Sequence, residues 1–267
     1  MNITTLLDKV YFAPRLKKID FYANRAGELQ HRVLDRLVRM AENTEWGKKY
    51  DYKSIHTYED FRNRLPIQTY EEVKPYVERL RAGEQNLLWP SEIRWFAKSS
   101  GTTNDKSKFL PVSKEALNDT HYQGGKDAVA LYLGQNPDSR FFSGQGLILG
   151  GSHSPNLNSR HGLVGDLSAI LIQNIHPLVN CVRVPSKKIA LMSDFEKKIE
   201  AIANSAISKD VTSLSGVPSW MLVLIKRILE KTGKQSLEEI WPNLEVFFHG
   251  GVAFTPYREQ YQEVIRS

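Results

Sequence analysis

The chain has 267 residues, 41% of them hydrophobic and 25% charged, with a formal net charge of +6 and a mean hydropathy of -0.41. This is the composition of a globular chain, long enough for one large α/β domain or two small ones, and it lacks the run of about 18 apolar residues that a transmembrane helix needs. The basic residues alternate with acids, as Lys197-Lys198 do with Glu196 and Glu200 and Lys226-Arg227 with Glu230, so there is no block of like charge and no nucleic-acid partner is expected.

Cys181 is the one cysteine, which excludes an internal disulfide and fits a reducing compartment. Met1 to Ala13 lacks the basic start and long apolar centre of a signal peptide, so a cytoplasmic location is expected. No internal repeat, low-complexity stretch or hinge linker is evident. The oligomeric state is not legible.

Residues 1–92 read as mostly helical. Leu29, Val33, Leu34, Leu37, Val38 and Ala41 recur at intervals of three and four, the pattern of one apolar face of a helix ending near Gly47. Thr57-Tyr58-Glu59-Asp60 and Thr69-Tyr70-Glu71-Glu72 are helix-start signatures, and Pro66 separates the two helices they open. The many aromatics of this region read as packing between helices.

Ile93-Arg94-Trp95-Phe96-Ala97 reads as a buried strand and Phe109-Leu110-Pro111-Val112 as a second short one. Between them lies Ser99-Ser100-Gly101-Thr102-Thr103-Asn104-Asp105-Lys106-Ser107-Lys108. A hairpin loop of this kind suits a polyphosphate. Ser and Thr hydroxyls and backbone N–H groups donate to phosphate oxygens. Gly101 lets the backbone approach closely, and Lys106 and Lys108 bring compact positive charge. The plainer alternative is a polar turn with solvated lysines. It is not a Walker A loop, because the lysine is followed by Phe109 rather than Ser or Thr opening a helix.

Ser113 is expected to cap a helix running to about Leu133 that contains Tyr122, Gly124 and Gly125. Adjacent glycines weaken a helix by about 1 kcal/mol each. Close packing is one reason for them. Room for a substrate, with Tyr122 as its wall, is the other. Residues 146–150 read as a buried strand ending in a glycine turn, and residues 151–166 as a polar loop. His153 and His161 within that loop match no familiar metal-ligand spacing, so no protein-held metal is expected. Residues 167–184 suggest short helices and a strand. Ser193-Asp194-Phe195-Glu196 suggests a capping box opening a helix to about Ile207.

Residues 211–215 form a β-branched strand, followed by Gly216-Val217-Pro218-Ser219-Trp220-Met221 and a helix. Residues 244–248 form another, followed by His249-Gly250-Gly251-Val252-Ala253-Phe254 and a helix opened by Thr255-Pro256. Helix and strand alternation implies a parallel sheet, and ligands of such sheets sit beyond the carboxyl ends of the strands.

The loop Ser99-Ser100-Gly101-Thr102-Thr103…Lys106-Ser107-Lys108 resembles the phosphate-binding signature S/T-S-G-T-T/S-G-x-P-K of adenylate-forming enzymes. With the doubled serine, Phe109 and Pro111, it is most similar to the Gretchen Hagen 3 (auxin-responsive promoter) family of acyl acid amido synthetases and its bacterial relatives. Leu65-Pro66-Ile67 before a capped helix resembles the family's approach to this loop. Asp105 stands where glycine is usual and Ser107 where proline is usual.

The resemblance implies a fold: a helical start followed by a largely parallel sheet with flanking helices, the α/β N-terminal part of an adenylate-forming large domain over residues 1–267. Residues 1–92 would be its helical portion and 93–267 its α/β portion. It implies a reaction too: ATP-dependent activation of a small carboxylic acid as an acyl-adenylate, then transfer to an amine, with Mg²⁺ as the accompanying ion.

By the same resemblance, Ser99, Ser100, Gly101, Thr102, Thr103, Lys106 and Lys108 would hold the phosphates. Lys108 would touch them directly, as the catalytic cation. Gly250, Gly251, Val252 and Ala253 would hold adenine. Val217, Pro218, Trp220 and Met221 would line the acyl pocket, with core packing as the alternative for the last two. The family's magnesium-holding glutamate, ribose-binding aspartate and C-terminal domain have no counterpart in these residues, so the chain alone is expected to be inactive. An acyl-CoA ligase and a non-catalytic nucleotide-binding relative remain the alternatives.

Overall fold

A computed structural model of the chain describes residues 3–99 and 107–265. The helices, in chain order, are α1 (Ile3–Leu7), α2 (Ala13–Asn24), α3 (Ala26–Ala41), α4 (Glu45–Lys49), α5 (Tyr58–Arg64), α6 (Tyr70–Ala82), α7 (Gln123–Gln135), α8 (Leu167–Asn174), α9 (Lys187–Ala190), α10 (Phe195–Ala206), α11 (Pro218–Thr232) and α12 (Arg258–Val264). The strands are β1 (Trp95–Lys98), β2 (Phe109–Val112), β3 (Gln145–Leu149), β4 (Leu163–Gly165), β5 (Arg183–Val184), β6 (Val211–Gly216) and β7 (Val246–His249). This is the expected α/β succession with a helical start. The chain forms two compact units, one of residues 12–131 and 154–166, the other of residues 1–11, 132–153 and 167–267.

The first unit holds a three-stranded sheet of order β2-β1-β4. β1 pairs antiparallel with β2, Lys98 facing Phe109, and parallel with β4, Trp95 facing Leu163. Its core is Val77, Leu80, Leu87, Ile93, Phe96 and Val164. The expected helix starts are present. Thr57 and Asp60 close a full capping box, and the Glu72 carboxylate accepts from the Thr69 N–H at 2.6 Å and from its hydroxyl at 2.8 Å. The Gln85 side chain extends the strand pattern, accepting from Ile93 N–H at 2.9 Å and donating to Ile93 C=O at 3.1 Å.

Two expectations need correction here. The helix expected to end near Gly47 stops at Ala41, Gly47 lying in α4, and its apolar face is buried only at Val38 and Ala41, with Val33 and Leu37 46% and 40% exposed. The helix packs through its C-terminal end on α4 and the turn Tyr52–Ser54. Periodicity shows which residues share a face, but not whether anything covers it. The polar loop 151–166 contains a strand, β4, which parallel pairing with β1 creates from only three residues.

The second unit holds a fully parallel sheet of order β5-β3-β6-β7. Leu147 and Leu214 of the sheet are buried with Ile199, Ile202 and Ala203 of α10, and with Met221, Leu224, Ile225 and Ile228 of α11. Trp241 lies wholly inside this core, its indole N–H donating to Ala206 C=O at 3.2 Å. The cap of α10 is Asp194, not Ser193 as the spacing suggests. Its carboxylate accepts from Lys197 N–H at 3.0 Å. Thr255-Pro256 opens a single 3-10 turn, Thr255–Tyr257, before α12 begins at Arg258. No helix among the described residues is long and apolar enough to cross a membrane.

Candidate nucleotide-binding site

The hydroxyl-rich loop leaves β1 and returns into β2, as its flanking apolar residues predict. Ser100, Gly101, Thr102, Thr103 and Lys106 lie outside the described residues. The two ends of the loop are described, and they are held together. Ser99 N–H donates to Lys108 C=O at 2.9 Å, and Lys108 N–H donates to the Ser99 hydroxyl at 3.2 Å. Ser99 therefore spends its side chain on closing the neck of the loop.

α6 packs along β2 beside this neck. Tyr70, in its first turn, accepts from Phe109 N–H at 2.9 Å and donates to Phe109 C=O at 3.3 Å. The Lys108 ammonium lies 5.5 Å from the centre of the Tyr70 ring. The guanidinium of Arg81 stacks 4.0 Å over the Phe109 ring. A cleft of about 770 Å³ opens here, walled by Tyr70 and Lys74 on one side and Lys98, Ser107 and Lys108 on the other. Three ammonium groups line it, against Glu71 and Glu78, with Lys74 paired to Glu71 at 3.5 Å. Such an arrangement attracts a polyanion.

Lys98 and Tyr70 were not singled out for this site by the sequence. Lys98 carried a signal, one residue before the doubled serine. Tyr70 did not, because a half-buried tyrosine in a helix is ordinarily packing.

Tyr122 also lies in the first unit, half-buried at the end of a π-helical stretch, Ala116–Tyr122, with burial pushing its phenol pKa up. Among the described residues nothing lies within 4 Å of where a Cβ at Gly124 or Gly125 would stand.

The remaining predicted residues lie in the second unit, at the carboxyl ends of β6 and β7, where Gly216 faces His249. Val217 caps α11. Pro218 C=O accepts from the Tyr261 hydroxyl at 2.9 Å. Met221 is fully buried in the core. Trp220 is half-exposed, its ring 4.6 Å from Phe195.

Gly250, Gly251, Val252 and Ala253 form an exposed turn after β7. Gly251 has φ +85°, and a side chain there would meet Val217 at 3.3 Å. The structure thus brings Val217 and Gly251 together, one from each predicted segment, at the edge where ligands of parallel sheets bind. Among the described residues no group of three or more His, Cys, Asp or Glu side chains is placed to hold a metal ion.

The pattern of the GH3 family N-terminal domain matches residues 15–267. The chain belongs to the GH3 family. Indole-3-acetic acid-amido synthetase GH3.2 of Arabidopsis thaliana is 30% identical over 103 residues, which cover 38% of this chain and 19% of that protein. Jasmonoyl--L-amino acid synthetase JAR4 of Nicotiana attenuata is 26% identical over 106 residues, 39% of this chain and 18% of that protein. The fold is similar to that of GH3.15 acyl acid amido synthetase, with a TM-score of 0.69 at 16% identity, covering 94% of this chain and 54% of that one. The same protein in complex with 2,4-DB gives a TM-score of 0.72 at 17% identity, over 88% of this chain and 50% of that one. The matches to the curated GH3 relatives span a quarter of their length or less, and the structural match about half.

Proposed function

We propose that this GH3 chain binds ATP through the loop between β1 and β2 and supplies the acid-activating part of an acyl acid amido synthetase. The observation that carries this reading is the closed neck of the loop, which sets Lys108 beside a cleft lined by Lys74 and Lys98. In the first step a carboxylate oxygen of the acid attacks the α-phosphorus of ATP. The bond from that phosphorus to the bridging oxygen breaks, and pyrophosphate leaves. In the second step an amine nitrogen attacks the acyl carbon, AMP departs with the carboxyl-derived oxygen, and the nitrogen loses a proton.

Negative charge grows on the departing pyrophosphate, so fixed cations and donors that meet it there lower the barrier. Lys108, with Ser100, Thr102, Thr103 and Lys106, is assigned that role, and Lys98 joins them. Gly250 to Ala253 are assigned the adenine, the two glycines leaving its approach to the backbone free of side chains, and Val217, Pro218 and Trp220 the apolar contacts for the acid. Mg²⁺ belongs to this reading as the ion that accompanies the polyphosphate of ATP. The related proteins named above are amido synthetases of indole-3-acetic and jasmonic acids. An amine acceptor is therefore preferred to the thiol of coenzyme A.

The test is acid-dependent ATP–pyrophosphate exchange by the full-length gene product across a panel of indole, aryl and fatty acids. Exchange with one class of acid supports the reading and defines the acid. ATP binding without exchange for any acid would contradict activation and leave a nucleotide-binding relative.

A further inference from the structure

β2 is the outer strand of its sheet, and the geometry of the hairpin decides which of its polar groups are left over. In an antiparallel pair, successive residues direct their backbone N–H and C=O alternately toward the partner and away from it. Ser99 and Lys108 are the bonded pair at the neck. Phe109, next in line and facing Lys98, therefore turns its N–H and C=O outward, to the edge where no strand among the described residues follows. Unpaired edge groups leave a strand free to fray.

The Tyr70 hydroxyl occupies that edge. It accepts from Phe109 N–H at 2.9 Å and donates to Phe109 C=O at 3.3 Å, doing for one residue what a neighbouring strand would do. The Arg81 guanidinium, 4.0 Å over the Phe109 ring, fixes the side chain of the same residue. Arg81 is itself anchored by an Nη2 hydrogen bond to Leu157 C=O at 3.3 Å.

Tyr70 is well placed to transmit rigidity. It follows Thr69, whose N–H and hydroxyl are both bound by Glu72, so its backbone is part of a tightly capped first turn. Its ring face also lies 5.5 Å from the Lys108 ammonium, within the range of a cation–π contact. One side chain thus constrains the backbone after Lys108 and the charge at the end of Lys108.

We propose that Tyr70 is a positioning residue for polyphosphate binding: its hydroxyl clamps Phe109 and its ring orients Lys108, so that the ammonium is held at the cleft before the nucleotide arrives. This rests on the reading of the loop as the ATP site. Preorganisation of this kind removes ordering cost from binding. Tyr70→Phe removes the clamp and keeps the ring. It is expected to weaken ATP binding about three- to tenfold, the scale of one hydrogen bond. Tyr70→Leu removes both and is expected to cost more.

A role exerted through Lys108 has a signature that general loosening lacks. ATP affinity is measured by calorimetry for the wild type, Tyr70→Phe, Lys108→Ala and the double variant. The proposal expects Tyr70→Phe to weaken binding in the wild-type background and to have almost no effect once Lys108 is gone. Equal losses in both backgrounds would make Tyr70 a structural residue only and overturn the proposal, as would wild-type affinity in Tyr70→Phe. Failure of the wild type to bind ATP would instead overturn the reading of the loop, and this proposal with it. A measurement without any variant bears on the clamp itself. In nucleotide-free wild type the amide proton of Phe109 should exchange slowly although it lies on a sheet edge, and rapid exchange would contradict the clamp.

Discussion

Arg15 holds Asp127 in two parallel hydrogen bonds, Nε to Oδ1 at 2.5 Å and Nη2 to Oδ2 at 2.8 Å, joining α2 to α7 across 112 positions of sequence. The arginine is 12% exposed and the aspartate 26%, so the pair is shielded on most sides. The Arg15 hydrogen bond, helped by one from Gln123, pulls the Asp127 carboxyl below the ordinary carboxylate range, and Asp127 in turn raises Arg15.

A depressed carboxyl pKa contributes stability that is complete above the unfolded value and is lost as pH falls through the folded one. Asp127→Asn should lower stability at neutral pH by about 1–2 kcal/mol. The difference from wild type should shrink as pH falls below about 4, because the unfolded chain then takes up a proton that the folded carboxylate, with its lowered pKa, accepts only at still lower pH. Thermal unfolding at pH 7 and pH 3.5 checks this, and a difference that does not change with pH would contradict it.

Lys198 is a buried cation used as a clamp. Only 3% exposed, it donates to Gly150 C=O at 2.7 Å and to Gly151 C=O at 2.8 Å, closing the turn that ends β3 onto α10. Lys198→Met keeps the length of the side chain and removes both donors. The expected loss is about 2–4 kcal/mol, since two carbonyls lose their partner at once. For a unit of this size that is about 7–14 °C in Tm.

Gly250 and Gly251 separate a structural role from a ligand role. Gly251 has φ +85° and Val217 close to where a Cβ would lie, so Gly251→Ala should destabilise the chain by about 1–2 kcal/mol. Gly250 has no described residue within 4 Å of that position, so Gly250→Ala should leave Tm unchanged. If the turn holds adenine, the added methyl should still weaken ATP binding several-fold. Unchanged affinity in Gly250→Ala would remove adenine from this turn.

Glu245 gathers three donors at the start of β7: the Ser139 hydroxyl at 2.6 Å, the Tyr132 hydroxyl at 3.0 Å and Arg140 N–H at 2.5 Å. Burial, with the neighbouring Glu245 charge, pushes the Tyr132 phenol up to about 12. A raised folded pKa contributes stability that is present below the unfolded value near 10 and lost as pH rises toward 12. In an ultraviolet pH titration of the folded chain, Tyr132→Phe should remove an ionisation at the alkaline end of the curve. Removal of one near pH 10 would contradict the contact with Glu245.

The hairpin, the capped helices and the parallel strands were legible because each has a local signature. β1 and β2 are apolar runs around a polar loop, Thr57 and Thr69 carry their capping partners three residues on, and β3, β6 and β7 are short apolar or β-branched runs that end in glycine turns. The features that escaped depend on neighbours remote in sequence. β4 is three residues in a polar stretch and exists through its pairing with β1. The exposed face of α3 has the same periodicity as a buried one. Tyr70 looks like packing in the chain and becomes a clamp only when Phe109, 39 positions later, is brought to it. For Gly124 and Gly125, which the sequence left open between packing and space, no described residue lies within 4 Å of an added Cβ.

The central claim is that Lys108, at the neck of the loop between β1 and β2, meets the phosphates of ATP. Calorimetric titration of ATP into the wild-type chain and into Lys108→Ala tests it most directly. Saturable binding that weakens about tenfold or more in Lys108→Ala, at an unchanged Tm, is the result this account predicts. Equal affinity of the two chains would contradict it.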